Sequence, residues 1–307
     1  MRKILLPAIF LFLLSHVAAQ TTNTGEEIIY GRKDGVALTM LELKPAANTK
    51  GKAIIRVIAG SWFSSYANAI SKGNLDISKN MYNENGYTVF EVIVGSQPRF
   101  AIPDQISDVK RAVRYIRYNA KTFGIDPDHI GIEGYSAGGH LSLAVATADE
   151  KIDTASKDPV DHVSSRVQAA AVLFPPTDFL NWSPFGNIVN SKELLLANSV
   201  YGAMDFKKWN NKTKTYDAIS DTAERNKIGK EISPIYSITP DDPPILIIQG
   251  DADPLVPLQQ SQIFIAKLKE AGVVHNYIIK KGGKHNFDDM QPEVGKEFPG
   301  WFDKYLK

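Results

Sequence analysis

Seven short runs rich in β-branched and other apolar residues punctuate the chain, at residues 36–43, 53–58, 88–94, 130–133, 168–174, 245–249 and 276–280. Several are apolar at nearly every position rather than at every second one, the pattern of strands covered on both faces. Between them the apolar period changes to that of helices. Residues 104–123 carry Ile106, Val109, Val113 and Ile116 on one stripe, closed by Gly124, and the spacing predicts a helix ending at a glycine cap. Residues 139–148 read as an apolar helix, residues 257–271 as a helix stopped by Gly272, and residues 292–306 as a closing helix. Strands alternating with helices predict an α/β fold with a mainly parallel central sheet and helices on both faces.

One stretch breaks the rhythm. Residues 181–231 are polar and irregular, with Trp182, Phe185, Tyr201, Trp209 and Tyr216 scattered through them. They read as an insertion, mostly helix or loop, of the kind that sits over a cleft or encloses a small aromatic core of its own. Neither a repeat nor a low-complexity linker is visible, so residues 20–307 are expected to form one catalytic-size domain.

The N-terminus changes the picture first. Arg2 and Lys3 precede an apolar core at residues 4–14, and Val17-Ala18-Ala19 then supplies small residues before Gln20. That order predicts a secretory signal peptide over residues 1–19, its core too short to span a bilayer. Cleavage there leaves 33 basic against 34 acidic side chains. A balance this even, with no basic tract, gives no reason to expect a nucleic-acid partner, and no later apolar run is long enough to hold the processed chain in a membrane. The chain has no cysteine, which removes disulfides, thiol nucleophiles and an N-terminal lipidated cysteine.

Candidate chemistry begins at Gly134-Tyr135-Ser136-Ala137-Gly138, a G-x-S-x-G placed after a short strand and before an apolar helix. A serine there sits on a strained strand-to-helix turn, and small residues two positions away let the neighbouring backbones pass. The helix N-terminus behind it favours developing negative charge. Extended to Gly139-His140, the segment resembles the Ser-Ala-Gly-Gly-His elbow of bacterial secreted acetyl esterases and of feruloyl or acetylxylan esterases in the α/β-hydrolase superfamily. The similarity runs upstream through residues 104–128 and downstream through 249–257, and is weakest over the insertion. It implies the α/β-hydrolase fold and a Ser-His-Asp esterase.

A serine hydroxyl needs an imidazole to take its proton, and the imidazole needs an acid behind it. In this fold the chain order is serine, acid, histidine, and His285, in Gly282-Gly283-Lys284-His285-Asn286-Phe287, is the histidine that follows the last strand. His140 reads as a packing or capping residue. For the acid, Gly250-Asp251-Ala252-Asp253-Pro254-Leu255-Val256-Pro257 resembles the family's G-D-x-D-x-x-V-P segment, whose second aspartate is the triad acid. The resemblance therefore implies Asp253, with Asp251 as competitor; an aspartate directly after Gly250 can instead hold turn N–H groups.

An oxyanion hole needs backbone donors. Ala137 supplies one, as the residue after the nucleophile. The second normally comes from a His-Gly-Gly-Gly loop, but here the stretch reads Ile58-Ala59-Gly60-Ser61-Trp62; Gly60 is the expected donor, with Ala59 behind it. Trp62 and Phe63 are candidate walls or sugar platforms, with core packing as the alternative, and Trp182 is a candidate substrate contact. Arg56, in the preceding strand, has no evident role. Two rival functions stay open: a serine peptidase of the prolyl-peptidase type, and an inactive hydrolase-like carbohydrate-binding protein. Neither H-x-H nor H-E-x-x-H occurs, so a metal-dependent hydrolase is disfavoured, and no cofactor is implied. The expected substrate is a small-molecule or glycan ester.

Overall fold

The computed structural model describes residues 25–149 and 152–307; the expected signal peptide lies outside them. An eight-stranded sheet runs in the order β1-β2-β4-β3-β5-β6-β9-β10. The strands are β1 (Glu26–Lys33), β2 (Val36–Leu43), β3 (Ala53–Val57), β4 (Thr88–Val92), β5 (Ile130–Tyr135), β6 (Ala169–Leu173), β9 (Ile245–Gly250) and β10 (His275–Lys280). β1, β2 and β4 pair antiparallel, and every pairing from β4 to β10 is parallel. This arrangement is the mainly parallel α/β sheet expected from the alternation of elements, and it agrees with the α/β-hydrolase fold that the resemblance implies. β1 was not legible as a strand: it is an edge strand, half of its residues charged, with Tyr30 alone fully buried. Its signal lies in the turn, Asp34-Gly35, where both residues have positive φ and close a tight hairpin.

The parallel strands alternate between two apolar layers. Ile55, Val57, Phe90, Val92, Ile132 and Val172 pack with residues of α3 (Ile102–Tyr118), α5 (Ala137–Ala146) and α8 (Leu258–Ala271). Ile54, Val89, Ala171, Leu246 and Ile248 pack with Met290, Val294, Phe298 and Phe302 of α9 (Phe287–Tyr305). All ten residues of α5 are buried, and full burial of side chains such as Leu141 and Leu143 stabilises by about 1.5–3 kcal/mol each. The stretch read as one helix at 104–123 is α3 followed by a short α4 (Ala120–Phe123), which ends on Gly124 in the left-handed region. Two further short helices, α1 (Tyr66–Ala69) and α2 (Lys72–Ile77), lie between β3 and β4.

The insertion holds α6 (Lys192–Ala197), α7 (Thr222–Glu231) and an unexpected hairpin, β7 (Lys207–Asn210) with β8 (Thr215–Ala218). Both hairpin strands are almost wholly exposed and carry one large apolar side chain each, Trp209 and Tyr216, so no two-residue apolar alternation marked them. Among the described residues no helix is long and apolar enough to cross a membrane.

Candidate active site

Ser136, Asp253 and His285 leave the same end of the sheet, because each follows one of the parallel strands β5, β9 and β10. Ser136 occupies the turn between β5 and α5 with φ 52° and ψ −120°, a conformation that costs a non-glycine residue on the order of 1–3 kcal/mol. Its surroundings hold it there. The Ser136 N–H donates to the Leu173 carbonyl at 2.9 Å, and the Gly138 N–H donates to the Ala59 carbonyl at 3.0 Å. Glycine is needed twice: a Cβ on Gly134 would meet the Gly138 backbone at 2.4 Å, and one on Gly138 would meet the Val57 carbonyl oxygen at 2.4 Å.

His285 Nε2 lies 2.9 Å from Ser136 Oγ, and His285 Nδ1 lies 2.8 Å from Asp253 Oδ2. An ionised carboxylate only accepts, so Nδ1 carries the proton and Nε2 is left to accept from the serine hydroxyl. The Phe174 ring sits 4.1 Å from the imidazole, centroid to centroid, and limits its rotation. The Asp253 side chain is fully buried, and its oxygens have further donors: Oδ1 accepts the Leu255 and Val256 N–H groups, both at 2.9 Å, and Oδ2 accepts Gln249 Nε2 at 3.2 Å. Gln249 is a positioning residue that the sequence reading passed over. Its Oε1 accepts from Ser261 Oγ at 2.7 Å, which aims its amide nitrogen at Asp253. Nothing in the apolar run of β9 distinguished this buried amide from a neutral core residue.

Asp251, the competitor, is turned away. Its Oδ1 accepts the Gly282 N–H at 2.6 Å, holding a turn as expected of it, but the turn of the loop after β10 rather than its own.

The loop after β3 departs from the expected donor. Ser61 and Trp62 both have positive φ, 47° and 60°, and Gly60 and Phe63 exchange backbone hydrogen bonds of 3.0 and 2.8 Å, closing a tight two-residue turn. The Gly60 N–H is therefore spent on Phe63, and Gly60 is corrected as the second donor. Ala59 presents its carbonyl to Gly138. The Ser61 carbonyl accepts from Gln97 Nε2 and the Trp62 carbonyl from Gln105 Nε2, while the Ser61 N–H meets no acceptor among the described residues. The Ala137 N–H, first in α5, has no carbonyl one turn back within its helix.

These residues open on a cavity of about 900 Å³, lined on its apolar side by Trp62, Phe179, Trp182, Phe185, Leu195 and Met204. Trp62 serves both cavity and core: only 5% exposed, it donates from Nε1 to His140 Nδ1 at 3.2 Å. His140 Nε2 in turn donates to the Ile232 carbonyl at 2.7 Å, and burial lowers the imidazole pKa to about 4. Trp182 stacks on Phe179, planes 10° apart. Phe63 is corrected: the turn reverses the chain and leaves it 47% exposed, outside the cavity.

Arg56 acquires an account. It stands opposite Glu91 of β4 and Glu133 of β5 in the sheet register. Its Nη1 reaches Glu91 at 2.9 Å and Ser78 Oγ at 2.8 Å, and its Nε pairs with Glu133. All three ions are buried, and burial pushes the Glu133 carboxyl above its ordinary range despite Arg56 beside it.

The comparisons with known proteins agree with the fold. Esterase LipQ of Mycobacterium tuberculosis (strain ATCC 25618 / H37Rv) is 28% identical over 274 residues, 88% of this chain and 58% of LipQ; the chain spans little more than half of that relative's length. An acetylxylan esterase of Xylanibacter ruminicola is 32% identical over 100 residues, 33% of this chain and 20% of the relative. The solved structure of a truncated carbohydrate esterase from gut microbiota superposes with a TM-score of 0.72 at 27% identity, covering 93% of this chain and 98% of the other. The BD-FAE family model matches residues 41–268, a span that holds the Ser136 elbow, the turn after β3 and Asp253. On that match the chain belongs to the BD-FAE family of α/β-hydrolases.

Proposed function

We propose that this protein is a secreted serine esterase that removes acyl groups, acetyl or feruloyl, from carbohydrate. The observation that carries the reading is the unbroken hydrogen-bond line Ser136–His285–Asp253, with 2.9 and 2.8 Å links, at the wall of a cavity large enough for a substituted sugar. His285 Nε2 takes the hydroxyl proton as Ser136 Oγ attacks the ester carbonyl, and Asp253 stabilises the imidazolium that forms. The imidazolium then protonates the leaving alcohol. An acyl-enzyme remains on Ser136, and water, deprotonated by the same histidine, releases the acid. The N–H of Ala137 and, in place of Gly60, that of Ser61 are the proposed oxyanion donors, each worth about 3 kcal/mol of barrier in comparable sites.

The carbohydrate assignment draws on the relatives named as acetylxylan and carbohydrate esterases and on aromatic rings along the cavity, whose flat faces suit sugar rings. Secretion rests on the pattern of residues 1–19, and a mature N-terminus at Gln20 tests it. Catalysis is tested with Ser136→Ala and a fluorophosphonate. The variant should lose on the order of 10⁶ in turnover of p-nitrophenyl acetate, and the label should sit on Ser136 alone. A variant retaining a tenth of the parent rate would refute the assignment. Acetylated and feruloylated glycans, set beside a chromogenic dipeptide amide, decide the acyl group and separate esterase from peptidase.

A further inference from the structure

We infer that the β7–β8 hairpin is a binding site for an anionic, carboxylate-bearing polysaccharide, distinct from the catalytic cavity. That such a polysaccharide also carries the ester substrate rests on the function proposed above; the binding itself does not.

The hairpin buries almost nothing. Both strands are exposed except at Asn210, which is half-buried. Trp209 and Tyr216 nevertheless stand directly opposite each other in the register. They are 47% and 58% exposed, with ring centroids 5.1 Å apart and planes at 68°. Trp209 Nε1 donates to Asn211 Oδ1 at 3.0 Å, which fixes the indole to the turn. An aromatic pair on a two-stranded ribbon adds about 0.5–1.5 kcal/mol to the ribbon, yet it leaves two large apolar faces in water. The ribbon is tethered at its base, where the Ile219 N–H donates to the Phe206 carbonyl at 2.9 Å and both side chains are buried.

Charge selects the class of ligand. Residues 207–218 carry Lys207, Lys208, Lys212 and Lys214 against Asp217. Lys207 pairs with Asp205 and Lys208 with Glu224, while Asp217 accepts from Asn210 Nδ2. Lys212 and Lys214 enter no ion pair among the described residues, so the turn beside the two rings carries uncompensated positive charge. Asn211, Thr213 and Thr215 add amide and hydroxyl groups around it. Flat C–H faces for the rings, hydroxyls for the amides and carboxylates for the ammonium groups are found together on a uronic-acid polysaccharide. The geometry also favours use with the cavity: the chain leaves cavity-lining Met204 and enters β7 three residues later, so a strand held on the ribbon stays at raised local concentration near Ser136.

The test is affinity electrophoresis of the full mature chain through deacetylated glucuronoxylan and through the same xylan with its carboxyl groups reduced. The parent should be retarded by the first and several-fold less by the second. Trp209→Ala with Tyr216→Ala should weaken retardation by about tenfold, a few-fold per ring. Lys212→Ala with Lys214→Ala should abolish the difference between the two xylans. Both double variants should hydrolyse p-nitrophenyl acetate within about twofold of the parent, well under 1 kcal/mol, which shows that they are folded. Parent-like retardation of the aromatic variant overturns the site, and equal retardation by the two xylans overturns its anionic class. Failure of the parent on every ester, with retardation intact, would instead remove the esterase reading and leave this one standing.

Discussion

Lowering the pH tests the buried Trp62–His140–Ile232 link directly. Burial holds the His140 imidazole neutral down to about pH 4, against an ordinary histidine value of 6.5. Between those values the unfolded chain binds a proton that the folded chain refuses, so the stability is fully present above 6.5 and is lost as pH falls toward 4. At about 1.4 kcal/mol per pH unit, the gap is worth roughly 3 kcal/mol. Protonation also removes the acceptor for Trp62 Nε1, so the loss falls on the turn that presents Ser61. The assay is urea unfolding of parent and His140→Gln at about pH 7.5 and about pH 4.5. Glutamine can replace both hydrogen bonds and does not titrate. The parent should lose about 2–3 kcal/mol more than the variant over this interval, the carboxylates common to both cancelling. Equal losses would show that His140 titrates normally and that its burial carries no such cost.

Three further outcomes follow from the geometry. Asp253→Asn should lower kcat by about 10⁴, while Asp251→Asn, which only weakens the bond from the Gly282 N–H by removing the acceptor's charge, should keep kcat and lower the unfolding midpoint; steady-state kinetics with thermal melts separates the two. Arg56→Met leaves Glu91 and Glu133 buried and unpaired and should cost about 3–5 kcal/mol by urea unfolding. Trp182→Ala or Phe185→Ala should raise KM for an acylated oligosaccharide and leave p-nitrophenyl acetate within about threefold, since contacts equal in ground and transition states move KM alone; equal losses on both substrates would assign these rings to the fold.

What the sequence disclosed and what it hid divide along the range of the interactions. The central strands were legible because two-sided burial writes itself as unbroken apolar runs. The elbow was legible because the close backbone approaches two residues either side of Ser136 admit only glycine. His285 followed from chain order. The second oxyanion amide did not follow: whether Gly60 or Ser61 keeps a free N–H depends on a bond to Phe63 that residue types do not encode. Arg56 looked anomalous because its partners lie 35 and 77 residues away and become neighbours only when β4 and β5 flank β3. The exposed hairpin escaped because a strand solvated on both sides has no apolar period to read.

The Glu91–Arg56–Glu133 line also bears on how the sheet finds its alignment. β3, β4 and most of β5 are buried on both faces, so their apolar side chains distinguish poorly between neighbouring alignments: isoleucine beside valine is much the same one or two positions along. The three ions are not interchangeable in this way. A slip of β3 by one residue would turn Arg56 toward the layer of Val92 and Ile132, and a slip by two would set it beside Val89 or Gly131, leaving charges buried without partners at a cost of several kcal/mol each. The ladder thus acts as an address within an otherwise degenerate apolar sheet, and the alignment it selects is the one that brings the turn after β3 alongside the nucleophile after β5.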